Sequence, residues 1–373
     1  MPLAAALILA ALLAGACAHG ASQPPEAPRA RLALLPPENL TGGALSLKGF
    51  TASLERALAG AGVEVVAGEA VEQYLHRHRI RYTAGIDGLS ATAAKEELGV
   101  DGLLVTTVQQ YLDGLPPKLA VTMRVVSAQD PPRITWIDGV AATGDDEPGF
   151  LNLGLVGNLG ELEKTALDTL CGLLADHLDG KGPRSVPCPG TGAPAWAHRN
   201  PKLDTGKPLS VIVLPFMNRT GRRGAGEIVA LQVARELAAL PTVEVIEPGV
   251  VRDELLAFRV VMKEGPSLDD VLAINASLRA DLIVSGEVLA YDEGLTGVPK
   301  VSFAVVMLDG KTRRVVWRSS SHAKGDDNVM FFGLGRVTTA TDLTCRMSRS
   351  VVDGLVAGQR PSPSPPMTSG AVP

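Results

Sequence analysis

A chain of 373 residues has room for two ordinary domains. Hydrophobic residues at 46% can fill packed cores, while aromatics at only 4% argue against surfaces that stack sugars or bases. A net charge of −5 lacks the basic excess that nucleic-acid binding requires.

Leu3 to Ala16 is a run of small and aliphatic residues. It is too short to span a bilayer, which takes about 20 apolar residues, and it matches the apolar core of a secretory signal, roughly 7–15 residues. It ends in Leu13-Ala14-Gly15-Ala16-Cys17, which resembles the lipobox of bacterial lipoproteins. That resemblance implies residues 1–16 as a signal peptide, acylation of Cys17, and residues 17–30 as a lipidated tether. Ala18, where inner-membrane retention takes Asp, implies by resemblance to enterobacterial lipoproteins an outer-membrane protein facing the periplasm.

The rest of the chain repeats itself. Leu35-Pro36-Pro37-Glu38-Asn39-Leu40-Thr41-Gly42 returns as Leu214-Pro215-Phe216-Met217-Asn218-Arg219-Thr220-Gly221, and Val63-Glu64-Val65-Val66 as Val243-Glu244-Val245-Ile246. Asp101, Tyr111, Trp136 and Gly144-Asp145-Asp146 recur as Asp281, Tyr291, Trp317 and Gly325-Asp326-Asp327. Ordered matches at an offset of 179 to 181 positions indicate a tandem pair of modules, 31–180 and 209–357. Residues 181–208, rich in Gly and Pro, read as a linker, and 358–373 as a disordered Pro/Ser/Gly tail.

In each module an apolar strand (Leu32 to Leu35; Val211 to Leu214) ends at proline. An Asn-x-Thr-Gly loop, an amphipathic helix and a second strand (Val63 to Val66; Val243 to Ile246) follow. Two more helices lead to a third strand beginning at Asp101 or Asp281. A hairpin (Leu119 to Ser127 with Arg133 to Gly139; Val301 to Leu308 with Arg313 to Ser319) and a closing helix complete the unit. This pattern predicts a mixed α/β fold: in each module a mixed sheet with crossover helices, then an antiparallel hairpin.

Val211 to Gly221, Ala280 to Val288, and Val301 to Leu308 with Val315-Val316-Trp317 resemble the opening strand, central strand and tryptophan-ended hairpin of TolB amino-terminal-like domains. The wider group includes the curli-secretion lipoprotein CsgG and the penicillin-binding-protein activator LpoB. The resemblance covers 209–357 and, more faintly, 31–180. It implies an envelope lipoprotein that binds other proteins or self-assembles. A CsgG-like secretion channel needs membrane-crossing strands of about 9–11 residues, and the connections Arg79 to Leu89 and Arg259 to Ser267 are too short for two of them.

Chemistry-bearing motifs are few. Gly221-Arg222-Arg223-Gly224-Ala225-Gly226 opens a helix, so Arg222, Arg223 and the amides at Gly224 and Gly226 form a candidate anion site, in competition with a solvated loop tip. The Gly-Asp-Asp pairs read as turns in preference to a calcium site. His76 and His78, two apart, do not share a helical face. Of the exported cysteines Cys171, Cys188 and Cys345, at most one pair forms: Cys171 with Cys188, or Cys188 with Cys345. Their spacing fits no zinc site, and no Gly-x-Ser-x-Gly or His-Glu-x-x-His motif is present. The expectation is a non-enzymatic scaffold, assembly or regulatory lipoprotein without cofactor or metal, binding envelope proteins or copies of itself. The alternative is a small-ligand or anion sensor.

Overall fold

The computed structural model describes residues 29–146, 156–200, 203–260, 267–294, 297–330 and 335–357. The readings for the leader, Cys17 and the tail 358–373 lie outside these residues. The fold is mixed α/β, with two sheets.

In the first half, β1 (Leu32–Leu34) lies between β3 (Val65–Val66) and β4 (Gly102–Leu112), parallel to both. From β4 the chain runs antiparallel through β5 (Lys118–Ser127) and β6 (Ile134–Thr143), and the short β2 (Glu38–Asn39) pairs with Thr107 and Val108 in the middle of β4. The second sheet repeats this order. β8 (Leu209–Val213) lies between β10 (Val243–Val245) and β11 (Leu282–Asp292), followed by β12 (Lys300–Asp309) and β13 (Val315–Lys324), with β9 (Met217–Asn218) on β11. The irregularities also match. The ladder shifts register between Val108 and Gln110 in β4 and between Val288 and Ala290 in β11.

Helices cover the sheets because their apolar stripes are laid out for it. In the first half α1 (Leu47–Gly60) is capped by Ser46, whose hydroxyl accepts from Gly49 N, and it turns Phe50, Leu54, Ala57 and Leu58 inward. Together with α4 (Leu159–Leu178) it buries one sheet face, while α2 (Glu69–Arg77) and α3 (Gly88–Leu98) cover part of the other. The second half uses α5 (Ala225–Ala238) and α8 (Ala340–Ala357) on one face, and α6 (Pro248–Ala257) and α7 (Leu268–Leu278) on the other.

Two findings depart from the sequence reading. The span read as a linker contributes a strand, β7 (Trp196–Arg199), which pairs antiparallel with β13 and extends the second sheet. The Cys171–Cys188 pairing is corrected: Cys188 joins Cys345 in α8, and Cys171 is a buried free thiol within the first core. The physical reason is placement. Cys171 sits on the inward face of α4 among Leu170 and Leu174, whereas the connecting segment carries Cys188 over to the second half.

The disulfide closes a loop with a sequence separation of 157 residues, so its loss should cost about 2–5 kcal/mol. Thermal unfolding should shift downward with reductant, and Cys188→Ser with Cys345→Ser should reproduce the shift. Cys171→Ala should retain the reductant effect.

Candidate functional site

The two halves are docked, and the docking is asymmetric. α5 is buried nearly all round, from Ala225 to Leu237, whereas its counterpart α1 buries only four residues. Conversely, β4 and β5 are buried on both faces, while β12 alternates between buried and half-buried positions. One surface of the second half, including α5, therefore sits on the outer face of the first sheet, and Ile134 and Ile137 of β6 join the second core.

Charged groups hold this seam. The Arg124 guanidinium on β5 forms a forked pair with Glu247, Nε to Oε2 at 3.0 Å and Nη2 to Oε1 at 2.8 Å. Their side chains are 1% and 0% exposed. Nη2 also donates to the Ala84 carbonyl, and Nη1 is buried without a partner among the described residues. A second buried pair joins Asp138 on β6 to Arg235 on α5 at 2.6 Å. Asp138 also accepts from Val186 N and Gly139 N. Burial pushes the Asp138 carboxyl above the usual range, against the pull of Arg235 and those amides. Lys118 Nζ donates across the seam to the carbonyls of Gly294 and Thr338, and Thr338 Oγ1 donates to Asp146 at 2.6 Å.

The Gly/Arg loop belongs to this seam. Arg222 reaches Glu293 through Nε (2.8 Å), Leu40 O through Nη1 (2.7 Å) and Gln109 O through Nη2 (2.6 Å). The candidate anion role of Arg222 is corrected accordingly, because its donors are committed to acceptors within the protein. Arg223 is exposed. Gly226 packs where a Cβ would lie 2.0 Å from Phe216 O, so its glycine serves close approach. Asn39 and Asn218 brace their own loops, each Oδ1 accepting from the amide two residues on. In the Gly-Asp-Asp turns, Asp146 and Asp327 accept from Thr143 N and Lys324 N. His78 pairs with Glu97 at 2.6 Å. Among the described residues, Cys188, Glu236 and Cys345 cluster as metal donors would, but both sulfurs are consumed in the disulfide.

Beside the Arg124–Glu247 pair a cleft of about 510 Å³ opens between the halves. Glu38, Tyr82 and Arg124 enter from the first half, and Glu227, Arg252 and an apolar wall including Phe216, Leu231 and Leu255 from the second. Gly224 lines its edge. The Arg252 guanidinium lies 4.0 Å over the Tyr82 ring. Gly85 and Gly249 let the Tyr82 loop meet the start of α6, since a Cβ on Gly85 would come within 2.7 Å of Gly249 Cα. Burial raises the Glu38 carboxyl to about 7, opposed by Arg124 and the Tyr82 hydroxyl and reinforced by Glu227.

No sequence signal pointed to Glu38, Tyr82, Arg124, Glu247 or Arg252. Comparison of the copies carries one. By ladder register Arg124 occupies the position of Val306, and Glu38 that of Met217. Ala67 precedes the first α2 where Glu247 precedes α6. Polar residues that appear in one copy only mark the seam.

No protein-family model matches the sequence, and no curated protein matches it. Solved structures similar to parts of the chain include the PelC dodecamer from Paraburkholderia phytofirmans, at 19% identity over 43% of this chain and 94% of that one, TM-score 0.29. The lipoprotein GNA1162 from Neisseria meningitidis gives 20% identity over 39% of this chain and 99% of that one, TM-score 0.29. The LpoB C-terminal domain from Salmonella enterica gives 10% identity over 31% of this chain and 84% of that one, TM-score 0.24.

Two outcomes follow from this geometry. Arg124→Met should cost about 3–5 kcal/mol in denaturant unfolding, because it leaves the Glu247 carboxylate buried without its partner, and adding Glu247→Leu should recover much of the loss. Glu38 and Asp342 are both raised to about 7 by burial, so the folded state holds their protons where the unfolded chain has released them. Their contribution is complete below the ordinary carboxylate range and is lost as pH rises through about 7. Midpoints measured at about pH 5 and about pH 8 should show that decline, and Glu38→Gln should remove the part due to Glu38 while leaving that of Asp342.

Proposed function

We propose that this chain is a non-enzymatic lipoprotein of the bacterial envelope, anchored by acylated Cys17, whose two homologous modules are docked into one rigid unit that binds other proteins in the periplasm. The observation that carries the binding reading is the unequal burial of the two sheets. The face that the first sheet gives to α5 has a counterpart on the second sheet that, among the described residues, no element covers to the same extent. There Leu289, 48% exposed, stands at the position of buried Gln109, and half-buried Ala304 at that of buried Thr122. The leader, the lipobox-like Leu13 to Cys17 and the duplication support the envelope and scaffold parts of the reading. Among the described residues, no helix is long and apolar enough to cross a membrane, so in this reading the acyl group does the anchoring.

Self-association is a second reading that the docking favours. The internal contact is head-to-tail: a helical face of one module meets a sheet face of the other. A contact of that kind leaves one free face of each type on every chain. The face of α1 is the free helical surface, with Thr51, Ala52, Glu55 and Arg56 outside the core.

Cys17→Ser should abolish acyl labelling and move the chain out of the membrane fraction; a variant that stays labelled is anchored elsewhere. Ala304→Arg with Leu289→Lys should abolish crosslinking to envelope proteins without changing the unfolding free energy by more than about 0.5 kcal/mol. Sedimentation of the same variant separates the two readings, since loss of a concentration-dependent oligomer identifies the partner as a second copy.

A further inference from the structure

The cleft between the halves holds donors that the protein itself does not use. Arg124 is 1% exposed, yet its Nη1 has no acceptor among the described residues, although Nε and Nη2 of the same side chain are engaged. An unpaired buried guanidinium nitrogen is costly, and such atoms call for a missing acceptor. Arg252 is held by stacking on Tyr82, and its guanidinium makes no ion pair among the described residues. Opposite these groups the wall is apolar, formed by Pro215, Phe216, Leu231, Leu255, Leu256 and Val260. The volume, about 510 Å³, is that of a small-molecule site.

We propose that this cleft binds a small organic monocarboxylate, its apolar body against the Phe216–Leu255 wall and its carboxylate between Arg124 Nη1 and Arg252. This goes beyond the protein-binding reading and is independent of it. It also relocates the anion chemistry that the Gly/Arg loop suggested: Gly224 lines the cleft, but the guanidinium groups facing it come from β5 and α6.

Two features support a carboxylate over a cation. The cleft contains two arginines, one with an orphan donor, and burial raises the Glu38 carboxyl to about 7, so below that pH it too can donate. The copy comparison agrees, since Glu38 and Arg124 stand where the other module has Met217 and Val306. The charged and titratable groups facing Glu38 are Arg124 from β5, Tyr82 from the loop between α2 and α3, and Glu227 from α5. As pH rises and Glu38 ionises, it repels a bound carboxylate, so affinity should fall on the alkaline side.

The test is titration calorimetry on the full chain carrying Cys17→Ser, with 4-phenylbutyrate as probe. Its amide, 4-phenylbutyramide, serves as the neutral control. The acid is expected to bind one per chain, at least tenfold more tightly than the amide. Arg252→Gln, at a half-buried position without an ion pair, should reduce the affinity for the acid by about tenfold and leave that for the amide unchanged. Glu38→Gln should retain binding and remove the alkaline weakening. Arg124→Met with Glu247→Leu, which removes both members of the buried pair and so leaves neither charge unpaired, should remove the preference for acid over amide. No heat of binding at millimolar acid would overturn the proposal. So would equal affinity for acid and amide, or acid binding indifferent to Arg252→Gln and to the double substitution.

Discussion

Arg124 and Glu247 meet where neither can reach water, and each comes from a different half of the chain. Separated, each would be a buried charge without a counterpart, a state costing several kcal/mol. The halves therefore have one register in which both this pair and Asp138–Arg235 close. Apolar contact through Ile134 and Ile137 supplies adhesion, but adhesion of that kind tolerates sliding. The ion pairs fix the register, and the Arg222 clamp on Leu40 O and Gln109 O fixes the rotation.

Once the register is fixed, the two copies have different fates. One sheet is enclosed on both sides and one helix is enclosed all round, while their counterparts face outward. The near-identical strand order makes this divergence visible. Arg124 against Val306 and Glu38 against Met217 are differences that only docking explains, because each stands in an equivalent ladder position with equivalent neighbours along the strand. The cleft exists because the two halves meet along part of the seam and diverge beside Glu38.

Much of the fold was legible in the sequence. The strand–helix order followed from apolar runs ended by proline, and the repeat checked each assignment against a second copy. The turn roles of Asp146 and Asp327 followed from local hydrogen-bonding capacity, which depends on near neighbours only. The site was not legible, for the opposite reason. Arg124 sits in the run Leu119 to Val126, where its partner lies 123 residues away, and no spacing rule links them. β7 was hidden because Trp196 to Arg199 lies in Gly/Pro-rich surroundings and pairs with a strand more than a hundred residues later. The Arg222-Arg223 pair looked like an anion loop because sequence cannot show that carbonyls of the other half already occupy Arg222.

That same β7 decides how the molecule can meet others. A sheet normally ends in a row of unpaired amides and carbonyls that invites further strands. Here the middle of that row on β13, Trp317 to Ser320, is taken by a four-residue segment, tied down by Arg199 Nε to Leu355 O and Nη2 to Leu203 O. The rim it leaves is too brief to template a ribbon. Recruitment on this side is then favoured by stacking broad surfaces, which selects by shape, over lateral zippering of backbones.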